Sequence, residues 1–280
     1  MIKVLITGAE SYIGLALERY LTREPEAYTV DTVDMIGDSW KQKDFSGYDA
    51  VFHVAGIVHK KEKQDMRDLY FKVNCDLAYE TAQKAKSEGV KHFIFLSSMS
   101  VYGIENGIID IGTIPNPISF YGQSKLKAEK SIKSLESDTF KVATLRPPMV
   151  YGKSCRGNYP RLAKIALKSP VFPDINNRRS MIYIENLTGF VKLLIDECDD
   201  GLFFPQNTNY VKTSELVELI AGLHGRKIRV TKIFNPFIKL LNFGIINKVF
   251  GDLVYEKEMS AYKHNYNSRS FKESVELTEM

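Results

Sequence analysis

Cysteine is scarce in this 280-residue chain, and one-sided charge and long apolar runs are absent. Cys75, Cys155 and Cys198 stand alone, with no Cys-x-x-Cys pairing. An odd set at such spacing suits neither a disulfide framework nor zinc, so no metal is expected and a reducing cytoplasm is the predicted compartment. The 38 basic and 34 acidic residues are mixed along the chain and leave a net charge of +4. Nucleic-acid binding needs clustered basic side chains, so this balance argues against a nucleic-acid partner. No stretch approaches the ~18 consecutive apolar residues of a spanning helix. The opening run Ile2-Lys3-Val4-Leu5-Ile6 is too short and too soon polar for a signal peptide.

The chain is long enough to bury a substantial core, as one large α/β domain with a cap or as two domains. Short β-branched runs alternate with helical patterns through the first half, which predicts βαβ units and a parallel sheet. The runs are Lys3–Thr7, Thr29–Val33, Ala50–Val54, His92–Ser97 and Lys141–Leu145. Helices are expected over Tyr12–Arg23, Leu69–Ala85 and Ser119–Leu135. The link from Asp34 to Ala50 is short and punctuated by Gly37 and Gly47, so its crossover helix is expected to shrink to a loop. Beyond Pro147-Pro148 the pattern loosens. Helices are read over Tyr159–Lys168, Leu187–Ile195 and Ser214–Leu223, with apolar runs at Met181–Ile184, Leu202–Phe204 and Ile228–Ile233.

The first strand ends in Thr7-Gly8-Ala9-Glu10-Ser11-Tyr12-Ile13-Gly14, and a helix follows. Gly8 permits a tight turn, Gly14 permits close helix–strand packing, and the helix start offers N–H groups to a pyrophosphate. Ser11 replaces the middle glycine of the pattern; its hydroxyl is read as a phosphate donor. Asp34 closes the second run twenty residues after Gly14. A carboxylate there accepts from the ribose hydroxyls and repels the 2′-phosphate of NADP, and Asp31 competes for the role. In Tyr121-Gly122-Gln123-Ser124-Lys125, tyrosine and lysine share one helical face. A cation beside the phenol favours the phenolate and moves it towards use as a general base. The fourth run ends in Ser97-Ser98-Met99-Ser100-Val101-Tyr102-Gly103, which puts serine at a parallel-strand carboxyl end.

The glycine-rich loop, Asp34, His53-Val54-Ala55-Gly56, Asn74, the serine strand end and Tyr-x-x-x-Lys occur in an order that resembles the extended short-chain dehydrogenase/reductase family. That resemblance implies a Rossmann-type, doubly wound α/β fold over residues 1–147 with 181–197 returning to it. A substrate-binding cap would take 148–180 and 198–280. It implies NAD as cofactor, held by Gly8, Ser11, Tyr12, Ile13, Gly14, Asp34, Val54, Ala55, Gly56 and Lys125. Ser98 and Tyr121 would touch substrate, with Tyr121 as acid/base, Ser98 as its hydrogen-bonding partner and Lys125 on the nicotinamide ribose. Gly56 stands where alanine is usual.

The second half resembles the same family. Leu145-Arg146-Pro147-Pro148-Met149-Val150-Tyr151-Gly152 looks like the strand leading into the substrate domain, with Met149 where asparagine is common. By resemblance Asn158 and Arg179 contact the diphosphate of a nucleotide sugar, a UDP-sugar, and guanidinium suits that task. The implied chemistry is hydride exchange at a sugar carbinol in polysaccharide-precursor synthesis, by a UDP-hexose 4-epimerase or a 4-keto-sugar reductase. Related dehydratases carry Asp-Glu where Met99-Ser100 stand, which disfavours that branch. A sensor or assembly factor that kept the fold and lost turnover is the alternative of another class. His53 and His59 read as structural, Trp40 as a packed loop aromatic or an adenine contact. The apolar segment Phe234–Leu253 reads as a cap helix or the contact of a homodimer, ahead of a membrane-surface role.

Overall fold

The structure is a computed structural model that describes residues 1–58, 63–233, 235–236 and 249–280. Elements are numbered in chain order. Six strands form one parallel sheet: β1 (Ile2–Thr7), β2 (Tyr28–Val33), β3 (Ala50–His53), β4 (His92–Leu96), β6 (Lys141–Leu145) and β10 (Gly201–Phe203). Every residue of β3 and β4 is buried, as are the last four of β1. Strands covered on both faces need continuous apolar sequence, which is why these runs read so clearly. The order across the sheet is β10-β6-β4-β3-β1-β2. The chain steps outward from β1 to β2, returns past β1 to β3 and continues the other way. That reversal opens a crevice at the carboxyl ends of β1 and β3.

The helices are α1 (Tyr12–Leu21), α2 (Arg67–Phe71), α3 (Leu77–Ser87), α4 (Phe120–Lys133), α5 (Asn158–Lys168), α6 (Ile184–Glu197), α7 (Thr213–Leu223) and α8 (Phe271–Glu279). Between β2 and β3 the described chain has only a 3₁₀ turn, Ser39–Gln42, as the short link predicted. Trp40 on that turn is 2% exposed and packs in a cluster with Phe45 and Val51, so its role is packing. The helix expected over Leu69–Ala85 is instead α2 and α3, joined by a π turn at Lys72–Asp76. Asn74 lies in that turn, fully buried, where its amide bonds the backbone of Ile57 and the Ser124 hydroxyl. Single π turns inside helices commonly accompany such a demand on one side chain.

The chain divides into two compact units, one of residues 1–103, 114–147 and 187–205, the other of 104–113, 148–186 and 206–280. This partition differs from the expected one at three places. The run Met181–Tyr183 (β9) pairs with Met149–Tyr151 (β7) in the second unit, so the return to the first begins only at Leu187. Gly201–Phe203, assigned from the sequence to the cap, is the sixth strand of the parallel sheet, bonded along β6. The stretch 104–113 belongs to the second unit, where β5 (Gly107–Ile109) pairs with β12 (Leu253–Tyr255). Strands of three residues carry too little periodicity to be assigned without their partners. Most of the apolar segment Phe234–Leu253 lies outside the described residues, as does His59. No described helix is long and apolar enough to cross a membrane, and no described group of three His, Cys, Asp or Glu could hold a metal ion.

Candidate active site

The loop after β1 is built to leave room. Gly8 has φ +98°, and a Cβ there would stand 3.0 Å from the backbone of Ala55. Gly14 would place its Cβ 3.1 Å from the Gly8 carbonyl and 2.5 Å from Ser11 Oγ. Both positions therefore exclude a side chain. Ser11 is the N-cap of α1, and its Oγ accepts from the Gly14 N–H at 3.1 Å. The hydroxyl thus caps the helix as an acceptor, which leaves its O–H to donate. Tyr12 and Ile13 open the helix directly after it. Asp34 follows β2 immediately, is exposed, and accepts from the Ile36 N–H at 3.0 Å in an Asx turn. Asp31 is already engaged, accepting from the Tyr48 hydroxyl at 2.5 Å, so Asp34 is the better placed acid.

Val54 and Ala55 are buried and Gly56 is exposed at the end of β3. A Cβ at Gly56 would stand 2.9 Å from Asn74 Oδ1 and 3.5 Å from Lys125 Nζ. The Asn74 amide occupies the space that alanine would need, which explains the departure from the usual residue. His53 is fully buried, stacks between Phe93 and Phe95, and bonds Thr7 Oγ1 through Nδ1 at 2.8 Å. Burial pulls its pKa down to about 3, so it is a neutral core histidine. A side-chain-free turn, a helix start, the buried Val54 and Ala55 and an exposed acid thus gather at the carboxyl ends of β1, β2 and β3, a chemistry that fits a dinucleotide.

Ser98 is half-buried at the end of β4, with its Oγ accepting from the Ser100 N–H at 3.1 Å. Tyr121 lies in the first turn of α4, and its hydroxyl is hydrogen-bonded to Ser98. Lys125, one turn on, is 4% exposed. Its Nζ donates to the Leu96 carbonyl at 2.8 Å and lies 4.7 Å from the centre of the Phe95 ring. The structure thus brings Ser98 and Tyr121 together, with Lys125 beside the Gly56 backbone. Burial pushes the Tyr121 phenol up to about 12, opposed by the Ser98 bond. Burial also pulls Lys125 down to about 8, against the pull of Glu129. The spacing puts a cation one turn from the phenol, and the fold withdraws that cation from water.

Two residues of this region escaped the sequence reading. Gly122 lies against the turn after β4: a Cβ there would stand 2.5 Å from the Ser100 carbonyl. Glu129 is 7% exposed and forms a two-pronged bond with Arg146 at 3.0 and 2.6 Å. The four-residue spacing of Tyr121, Lys125 and Glu129 was visible, but an acid on a helix ordinarily reads as solvated.

In the second unit Asn158 is exposed as the first residue of α5, whose start has no side-chain cap because Gly157 precedes it. Arg179 donates through Nη1 to the Gly251 carbonyl at 3.2 Å, and its pKa is lowered by burial against the charges of Asp252 and Glu105. Asp252 is taken up by Arg178, at 3.6 Å and through the Arg178 N–H at 2.6 Å. No described carboxylate pairs with Arg179 itself. Met149 opens β7 and is half-buried.

Alanine normally improves on glycine inside a helix by about 1 kcal/mol. At position 122 the sign should reverse, because the added methyl meets a backbone carbonyl. Gly122→Ala is expected to lose at least about 1–3 kcal/mol in urea unfolding. A variant as stable as the parent would show that α4 does not lie flush on the β4 turn.

The chain is similar to known proteins at two levels. The profile of the NAD dependent epimerase/dehydratase family matches residues 4–203. The UDP-glucose 4-epimerase of Vibrio cholerae is 28% identical over 245 residues, covering 78% of this chain and 74% of the relative. The N-acetyl-alpha-D-glucosaminyl-diphospho-ditrans,octacis-undecaprenol 4-epimerase of Escherichia coli O157:H7 is 27% identical over 228 residues, covering 76% and 68%. Among solved structures, the UDP-glucuronic acid 4-epimerase from Bacillus cereus in complex with NAD superposes with a TM-score of 0.77 at 19% identity, over 99% of this chain and 96% of that one. A dTDP-4-dehydrorhamnose reductase from Clostridium acetobutylicum gives 0.75 at 19% identity, over 98% and 97%. At that identity the structures show a shared fold. With the profile spanning most of its length, the chain belongs to the NAD dependent epimerase/dehydratase family.

Proposed function

We propose that the protein is a UDP-hexose 4-epimerase, exchanging hydride at a sugar carbinol. The observation that carries the reading is the Ser98–Tyr121 hydrogen bond at the carboxyl end of β4, with Lys125 buried one turn away. NAD, when bound, supplies the hydride acceptor and a positively charged ring. Gly8, Ser11, Tyr12, Ile13 and Gly14 would line its pyrophosphate, Asp34 its adenosine ribose, Val54, Ala55 and Gly56 its length, and Lys125 its second ribose.

The chain's own part is proton handling. Tyr121 accepts the proton of the sugar hydroxyl as the carbinol becomes a ketone and returns it when the ketone is reduced. Ser98 donates to the same oxygen, stabilising the charge that develops on it. Burial pushes the Tyr121 pKa up to about 12, so Tyr121 starts as a neutral phenol; it would give that proton to solvent when positive charge is brought near, and act as the base from the phenolate. The relatives favour a sugar carried on a diphosphate: one is a UDP-glucose epimerase, the other acts on a lipid-linked diphosphosugar. A second reading, a 4-keto-sugar reductase, is supported by the likeness to a dTDP-4-dehydrorhamnose reductase over nearly all of both chains.

Identifying the nucleotide released on denaturation, then incubating the protein with a panel of UDP-hexoses, tests the proposal. An epimerase yields the C4 epimer with no added NADH. Consumption of NADH only in the presence of a 4-keto sugar would favour the reductase. Release of no nucleotide, with neither reaction, would remove both.

The Arg179 role has its own test. A half-buried guanidinium without a described carboxylate partner suits a diphosphate, to which it makes charge-assisted bonds. Arg179→Ala is expected to weaken UDP binding by about 10-fold or more, with NAD affinity and melting temperature unchanged. An arginine that only ties its own unit together would instead lower the melting temperature and leave UDP affinity intact once folded.

A further inference from the structure

The helix that carries Tyr121 and Lys125 is held at a third point, one further turn along. Glu129 points inward and is met from two other elements. Arg146, which follows β6, gives it Nε at 3.0 Å and Nη2 at 2.6 Å. The hydroxyl of Ser97, the residue before Ser98, donates to the same carboxylate. Arg146 also donates through Nη1 to the Tyr102 hydroxyl at 2.9 Å, and Tyr102 ends the turn that Ser98 begins. One carboxylate therefore ties α4 to the end of β4, to the end of β6 and, through arginine, to the turn between Ser98 and Gly103.

Taking two charges out of water costs about as much as their attraction returns, so a buried pair is weak evidence of a stability role. Its position is more telling. Resting on the reading of Ser98, Tyr121 and Lys125 as the reacting set, we propose that Glu129 is a positioning residue. It fixes the register of α4 against the β4 end and sets the charge environment of Lys125 beside Gly56.

Lys125 meets few other groups. From β4 come the Leu96 carbonyl and the Phe95 ring, and from β3 comes His53, neutral and fully buried. The Asn74 amide is uncharged and lies across Gly56. Glu129 acts to keep Lys125 protonated, while burial acts to discharge it. An ammonium holds a ribose hydroxyl better than a neutral amine does, since it offers three charged donors. Lys125 loses its proton as pH rises through about 8, so cofactor affinity should fall across that range.

The test is NADH affinity as a function of pH, with a melting curve for each protein. The proteins are the unmodified chain, Glu129→Gln, Glu129→Asp, the double change Glu129→Leu with Arg146→Met, and Lys125→Met. Replacing a buried pair with apolar groups of similar volume is often neutral for folding, so the double variant reads the effect if Glu129→Gln leaves Arg146 stranded. In Glu129→Gln the fall in affinity is expected to move down by about one pH unit, weakening NADH about five-fold at the unmodified midpoint; the double variant, which also removes the Arg146 charge, should move the same way by less. Glu129→Asp keeps the charge and should restore most of the midpoint. A folded Glu129 variant with the unmodified pH profile would overturn the proposal and leave Glu129 as a core pair alone. Lys125→Met should abolish the pH dependence. If it does not, the reading of Lys125 fails, separately from that of Glu129.

Discussion

The seating of α4 on the end of β4 governs the rest of the site. Ser119 caps the helix by accepting from the Gly122 N–H at 3.0 Å. Gly122 has no side chain and so lets the helix rest on the Ser100 carbonyl, which brings the Tyr121 hydroxyl to Ser98. The Glu129–Arg146 fork holds the helix at its far side, and Lys125 lies between the two fixed points. A shift of one ångström in this seating would separate Tyr121 from Ser98, and such a misplacement can cost on the order of 10²-fold in rate.

The same seating sets the chemistry. Burial, partial at Tyr121 and nearly complete at Lys125, raises the phenol and lowers the ammonium, each towards its uncharged form. The pair is thus poised. Charge brought into the crevice has more effect on groups held in low dielectric than on groups in water. Asn74 contributes by a different route. Its amide satisfies the backbone of Ile57 and fills the space over Gly56, so the strand end beside Lys125 is fixed by hydrogen bonds rather than by a methyl group.

Much of this was legible because the first unit is an α/β sheet with both faces covered. The buried strands β1, β3, β4 and β6 read directly as apolar runs, and the loop from Gly8 to Gly14 reads as a turn that needs glycine. Tyr121, Lys125 and Ser98 were found through their order and spacing. What stayed hidden depended on distant partners. β10 is three residues long and takes its identity from β6; Met181–Tyr183 takes its identity from β7. The π turn at Lys72–Asp76 follows from where Asn74 must reach, which helical periodicity does not encode. Glu129 looked like a surface acid until Arg146 and Ser97 arrived from other strands. Spacing shows that Lys125 lies one turn from Tyr121, but it says nothing about how much burial raises the phenol.

The central claim is that Tyr121, as α4 positions it, is the group that moves the proton. The direct measurement is turnover of Tyr121→Phe with whichever UDP-sugar the parent protein converts, beside its NAD affinity. Loss of the proposed proton-transfer group should lower turnover by on the order of 10²–10⁴-fold, while NAD affinity stays close to that of the parent. A Tyr121→Phe protein that binds NAD normally and turns over at the parental rate would contradict the account.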